Sequence, residues 1–420
     1  MVKPLIIKNA RIWDGATFVR RELYTAERIA AHPRHDAVAV DLDGYAIFPG
    51  LINAHDHLEL NHFPRTKFRD TYDNAHQWGN DVSARLNDEP YKSLRAYPLW
   101  DRLFIGGLKN LLCGATTVAH HNPPHKELFR ADFPVRVLKR YGWAHSLHFS
   151  TSDEIVRSYR TTPPDVPWFI HLAEGTDEIA AGEYQRLKAL GCVGANTVIV
   201  HGVGLTNEDI ADAAPRVRGL VICPTTNVYL LGETANEQAW LDCGGHVAYG
   251  SDSRLTADGD LLTELRRWTV ALQTRMMIMA GDRNHAIFSS YWHIVFPHVY
   301  TALYKQAAMM LQLPDAETAE KPAPNGDWIA FNTELHQFGY LPRTRADLAL
   351  VVRGGVPQIG DPDLILKFPV ESVPATLDGK PKRINIDLAR QIARCSLHEA
   401  GLELDALPNE KRKTIIGFQL

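Results

Sequence analysis

The stretch FPGLINAHDHLEL, Phe48 to Leu60, begins as a buried β-strand and ends in two histidines separated by one aspartate. Side chains on extended backbone alternate between faces, so His55 and His57 share one face and Asp56 takes the other. Two imidazoles converging at the end of an apolar strand suit a metal ion. A lone histidine at a strand end is far more often a satisfied polar residue, so the weight rests on what the rest of the chain places beside this pair.

From Leu51 to about Leu313, apolar runs of four to six residues are each followed by a longer helix-compatible segment, the pattern of parallel βαβ units. The strand runs are GLINAHDH, GATTVAHHN, WAHSLHFS, WFIHLAEG, TVIVHG, LVICPTTN and HVAYGSDS. They number seven, and the interval between His121 and Trp168 is too short for a second full βα unit, so one unit of an eightfold barrel is degenerate or unassigned. The first fifty residues alternate short β-like runs with glycine-containing turns. β-like sequence returns in PNGDWIAFNTELHQFGYLPRTRADLALVVRGG, and INIDLARQIARCSLHEAGLEL reads as an amphipathic helix with Asp387 as its N-cap. The expected fold is therefore α/β. A TIM-like (β/α)8 barrel over residues 51–319 carries a small composite β-sandwich from residues 1–50 and 320–420, closed by the terminal helix.

Catalytic groups of such barrels sit at the carboxyl ends of the strands. His55 and His57 close the first run, His171 closes WFIH with Glu174 three residues on, His201 closes TVIVH, and Asp252 follows VAYGS. Each polar residue comes directly after apolar, β-branched or aromatic residues, so a buried strand would lift each to the rim. Several such endings around one mouth outweigh the bland reading of any one of them.

The order HxH, HxxE, a strand-end histidine and GSD resembles the amidohydrolase superfamily. VICPTTNVYLLGE followed by GSDSRLTADGDLLTELR is similar to its branch of cytosine and guanine deaminases and triazine hydrolases, and PRTRADLALVV resembles that family's closing β segment. The resemblance implies one divalent metal ion per chain, zinc favoured over iron(II), on His55, His57, His171 and Asp252. It makes Glu174 the proton shuttle and gives His201 the orientation of water or substrate, with Asp252 accepting a proton as the tetrahedral carbon collapses. No lysine ends a middle strand, as a carbamylated two-metal site would need, and Lys126 lies in a loop, so a mononuclear site is favoured. Three neutral imidazoles and a carboxylate suit a borderline ion, which lowers the pKa of a water to about 7.

The expected activity is hydrolytic deamination of an amino-substituted heterocycle, with hydrolysis of a cyclic amide, imidazolone or formimino C–N bond as the alternative on the same scaffold. A catalytically silent ligand-binding relative is a third reading, although none of the six rim residues is missing. The H-x-E of His57 to Glu59 also fits the unrelated base deaminases, but their P-C-x-x-C half is absent, since Cys223 precedes its proline. Substrate contacts are expected from His121, which ends the second run beside His120, from His76 and Trp78 in the long segment after the first strand, and from Arg254 beside Asp252, the last either on a substrate carboxylate or against Asp258 and Asp260.

Composition bounds the partners. The 420 residues are 45% apolar and 22% charged with a formal net charge of -4, and no block of like charge marks a nucleic-acid or membrane-surface partner. A small-molecule substrate is the default, and a homo-oligomer is compatible with the sequence although nothing in it locates an interface. Five scattered cysteines, none in C-x-x-C, exclude a disulfide framework and fit a reducing cytoplasm. No run reaches about 18 apolar residues, and the start MVKPLIIKNARIWDG lacks the features of a signal peptide.

Overall fold

The computed structural model of the chain describes residues 2–15, 17–269, 301–313, 325–333, 344–405 and 407. Among the described residues, eight strands in the middle of the chain run parallel to their neighbours: β1 Leu51–Asp56, β2 Ala115–His120, β3 Arg136–Val137, β4 Gly142–Ser146, β5 Trp168–Leu172, β6 Thr197–His201, β7 Gly219–Ile222 and β8 Val247–Tyr249. All seven strands read from the sequence are present. The eighth is β3, two residues long and separated from β4 by residues 138–141 with no helix between, which is why the interval after His121 looks too short.

Hydrogen bonding groups the strands as β3-β2-β1 and β4-β5-β6-β7-β8. Among the described residues, then, the ladders form two parallel sheets, where one closed ring was expected. Hydrogen bonds outside the ladders cross the two gaps. The His121 ring nitrogen Nε2 meets Ala144 O at 3.0 Å beside β4, and Asp252 N donates to His55 O at 3.0 Å between the ends of β8 and β1. Gly250 permits the second contact, because a Cβ there would lie 2.5 Å from the His55 Cβ. The strand bodies are buried on both faces, as β-branched runs such as TVIV require when helices cover a parallel sheet.

Four helices bear on the rim: α1 Ala75–Ser83, α2 Leu99–Leu112, α3 Glu183–Ala189 and α4 Pro224–Leu231. Asn74 caps α1 through Gln77 N, and Pro224 opens α4, where a missing N–H costs no hydrogen bond. The long segment between β1 and α2 folds over the strand ends instead of standing off in solvent. Tyr72 N donates to Leu230 O at 2.8 Å, the Arg65 guanidinium lies 3.7 Å from the Tyr229 ring centre, and Tyr72 packs in a small apolar cluster with Leu230 and Leu231.

Both ends of the chain meet in one nine-stranded sheet. Tyr45–Pro49, the strand leading into β1, pairs antiparallel with Trp328–Asn332, with Phe48 opposite Ile329. A separate four-stranded sheet is built from residues 5–41. Leu5, Ile7 and Val40 from it share one apolar cluster with Ile47, Trp328, Leu350 and Val352 from the large sheet. The late helix is shorter than expected, Ile386–Arg394, and its cap is Asn385, whose side chain accepts from Asp387 N at 2.9 Å. Asp387 lies inside the first turn, where a carboxylate favours the helix dipole but cannot cap it. Residues 342 and 343 of the expected closing β segment, and 324 and 334–341 of the β-like stretch before it, lie outside the described residues. No helix among the described residues is long and apolar enough to cross a membrane.

Candidate metal centre

The ends of β1, β5 and β8 bring three imidazoles and one carboxylate together. His57 Nε2 and His171 Nε2 are 3.2 Å apart, and His171 Nε2 and His55 Nε2 are 3.3 Å apart. Asp252 Oδ1 lies 3.9 Å from His55 Nε2 and 3.8 Å from His57 Nε2. Nitrogen ligands at 2.0–2.1 Å from a tetrahedral zinc stand about 3.3 Å from one another. The imidazole spacing therefore fits such an ion, with the carboxylate slightly wider.

Hydrogen bonds behind the rings decide which nitrogen is free. His171 Nδ1 is 2.8 Å from His145 O, and a carbonyl can only accept, so Nδ1 carries the proton and Nε2 presents its lone pair to the centre. His121 Nε2 donates to Ala144 O, which leaves its Nδ1 bare, 3.3 Å from His55 Nδ1. His55 must then donate from Nδ1, and its Nε2 is also free. A partner on the second nitrogen is what orients a metal-binding histidine. Burial first, and the neighbouring imidazoles second, push His55 and His171 well below the usual histidine range, so both are neutral and ready to ligate. Among the described residues two three-residue groups have metal-ligating geometry, His55–His57–Asp252 and His55–His121–His171. In the second, His121 faces the far nitrogen of His55, and its own Nε2 is committed to Ala144.

Glu174 and His201 stand beside this centre, with His201 Nε2 at 3.5 Å from Glu174 Oε1. His201 Nδ1 donates to Asn227 Oδ1 at 2.8 Å, so the nitrogen facing Glu174 is an acceptor. Burial, then the carboxylates of Asp252 and Glu183, raise the Glu174 carboxyl well above the usual range. Burial thus favours the protonated form of Glu174 beside an imidazole nitrogen that can accept, and burial also lowers His201. Three rim residues adopt left-handed backbone: Ala173 at φ 54°, His201 at φ 73° and Asp252 at φ 55°. Each costs about 1–2 kcal/mol for a residue with a Cβ, and such strain gathers at functional sites. Here it turns the chain sharply at the carboxyl ends of β5, β6 and β8.

A cavity of about 120 Å³ opens on His57, His171, Glu174, His201 and Asp252. Of the four expected substrate contacts, His76 and Trp78 line it. His76 Nε2 is 3.1 Å from Glu183 Oε1, and the Trp78 indole donates to Thr66 O at 3.0 Å. The other two lie elsewhere. His121 is buried behind His55, because a register shift at the end of the β1–β2 pairing breaks the alternation that would have aimed it at the mouth. Arg254 is not among the lining residues. Its guanidinium forms a two-pronged pair with the buried Glu399, at 2.8 and 2.6 Å, leaving no fork for a substrate carboxylate and no pairing with Asp258 or Asp260. Asp258 is instead held by Arg65 and Arg267.

Sequence reading passed over the layer beneath these side chains. Lys109 of α2 is fully buried, with Nζ 3.0 Å from Asp56 Oδ2, 3.0 Å from Ser251 Oγ and 2.9 Å from Asp252 O. Asn110 and Asn61 also donate to Asp56, at 2.7 and 2.9 Å. The signal was present: Lys109 falls on the stripe of Ile105, Leu108 and Leu112, at helical spacing, where an apolar residue belongs. Glu183, which accepts from Ala173 N at 2.7 Å, and Asn227 had no comparable signature.

No family model and no curated protein matches the chain. Solved structures do. A zinc-bound adenosine deaminase from Xanthomonas campestris superposes with TM-score 0.63 at 16% identity, covering 85% of this chain and 93% of that one. The zinc complex of atrazine chlorohydrolase from Arthrobacter aurescens gives TM-score 0.63 at 15% identity, over 84% and 94%. An amidohydrolase from Brucella melitensis gives 0.56 at 16%, over 85% and 94%. The chain has the fold of these hydrolases, in line with the superfamily its motifs resemble.

Proposed function

We propose that this chain is a metal-dependent hydrolase of the amidohydrolase superfamily, and that its reaction is hydrolytic deamination of a small amino-substituted heterocycle. One observation carries the reading: the side chains of His55, His57, His171 and Asp252, drawn from three strand ends, converge beside the buried Glu174 carboxyl. On this reading β1 to β8 are the strands of a (β/α)8 barrel spanning residues 51–319. The two terminal sheets are then the β-sandwich formed by residues 1–50 and 320–420. The zinc in the adenosine deaminase and chlorohydrolase structures supports the choice of ion.

When bound, the ion supplies the Lewis acidity that brings the ionisation of an attacking water near neutral pH. The chain's own groups manage the protons. Glu174 takes one proton from the water and delivers it to the ring nitrogen next to the attacked carbon; the water's second proton, accepted by Asp252 as the tetrahedral carbon collapses, is the one that leaves on the departing amine. His201 receives the Glu174 proton on Nε2 when the carboxylate must act as base, and Asn227 holds the ring in the tautomer that can accept it. Asp252 accepts a proton through the oxygen facing the histidines, while Thr256 Oγ1 holds its other oxygen at 3.2 Å. Trp78 and Phe149 line the cavity with apolar surface suited to a flat ring.

The test is an ammonia-release screen of the zinc-loaded protein over purines, pyrimidines, triazines and pterins. Ammonia formed in step with product supports deamination. Turnover of lactam-type or formimino substrates without ammonia would move the assignment to the alternative C–N hydrolysis.

A further inference from the structure

We propose that Lys109 is a positioning residue of the metal centre, a single buried ammonium that fixes the two histidines of β1 and the aspartate after β8 relative to one another. The inference rests on the reading that His55, His57, His171 and Asp252 hold the ion.

An ammonium has three N–H donors, and Lys109 has three acceptors in range: Asp56 Oδ2, Ser251 Oγ and the Asp252 carbonyl. Asp56 is the residue between His55 and His57, pointing away from the centre as alternation requires. Its side chain is the handle by which the HxH segment is held from below. Asp252 is itself a ligand, and its carbonyl orientation sets the direction in which its carboxylate leaves the left-handed turn. One cation therefore grips both halves of the ligand set from beneath. No ladder joins β1 to β8 among the described residues. The backbone bond from Asp252 N to His55 O and the bond from Ser251 N to Asn53 Oδ1 at 2.9 Å also cross this seam. Asn53 extends the network, with Nδ2 2.7 Å from Asn110 Oδ1 and 2.8 Å from Ser251 Oγ.

A lysine serving only to neutralise Asp56 predicts something different. Removing both charges together would then restore everything, whereas a positioning role needs the ammonium itself, because the shorter amide introduced by Asp56→Asn cannot stand in for it at both Asp252 O and Ser251 Oγ.

The experiment compares wild type, Lys109→Met and Lys109→Met/Asp56→Asn. Zn2+ affinity is measured by competition with a chromophoric chelator, the Co2+-loaded forms give visible spectra, and the metal-free forms give melting temperatures. Lys109→Met is expected to weaken Zn2+ binding about 10–100-fold, as loss of outer supports of metal ligands does, and to change the Co2+ ligand-field bands. The double variant should regain melting temperature while its affinity stays at least about tenfold weak. Wild-type affinity and Co2+ spectrum in the double variant would overturn the proposal. If neither variant folds, Ser251→Ala decides: weakened Zn2+ binding supports the clamp and unchanged binding overturns it. Wild type that binds no Zn2+ would instead sink the underlying metal reading.

Discussion

Replacing Glu174 with glutamine keeps the shape of the side chain and removes the proton it carries. A positioned acid–base group contributes about 10²–10⁴ in rate, or about 3–5 kcal/mol of barrier at 1.36 kcal/mol per tenfold. The structure points to the upper half of that range. The Glu174 side chain is only 15% exposed, so bulk water cannot easily replace it, and the imidazole 3.5 Å from it, His201, has its far nitrogen committed to Asn227. Because Glu174 is not one of the converging ligand atoms, metal content should not change. Steady-state ammonia release by metal-replete Glu174→Gln should show kcat lower by about 10³–10⁴ and KM within about threefold of wild type, the pattern of an interaction made only in the transition state. The pH profile adds a second signature. Burial and the Asp252 and Glu183 carboxylates raise the Glu174 ionisation, so activity that needs its carboxylate should fall as pH drops through a value above the ordinary carboxylate range, and this limb should vanish in the variant. Turnover within tenfold of wild type, or a parallel loss of bound metal, would refute the shuttle role.

Two further substitutions test the surroundings. Glu264, fully buried against Thr225, has its carboxyl pushed up to about 8, chiefly by burial, from an ordinary 4.5. Between those values the unfolded chain has lost the proton and the folded chain keeps it, so this group's stability contribution falls as pH rises through the window, by up to about 1.4 kcal/mol per pH unit; denaturant melts of Glu264→Gln should be flatter than wild type from pH 5 to 8, and parallel curves would contradict the assignment. Arg254→Met strips one of two arginines from the buried Glu399 carboxylate and should cost about 3 kcal/mol of stability with KM unchanged, whereas a KM rise of tenfold or more without destabilisation would return Arg254 to the substrate site.

Much of the centre was legible because its residues follow strands whose burial can be read locally. His55, His171, His201 and Asp252 each end an apolar run, and period-two alternation was enough to pair His55 with His57 and to turn Asp56 away. Strand β3 was not legible, since two residues carry no pattern. Nor was the position of His121, because alternation fails where the β1–β2 register shifts. Arg254 was misplaced for a different reason. Its partner Glu399 lies 145 residues along the chain, and nothing local distinguishes an arginine that will meet a substrate from one that will meet the far end of its own chain. Lys109 could have been found, by asking why a lysine sits on the apolar stripe of α2.

The most direct test is metal content. Elemental analysis of the purified, zinc-replete wild type should give about one equivalent per chain, and His171→Ala, which removes the imidazole standing 3.2–3.3 Å from both His57 and His55, should retain less than about a tenth of that after dialysis. A folded His171→Ala that keeps a full equivalent, or a folded wild type that takes up none, would contradict the account.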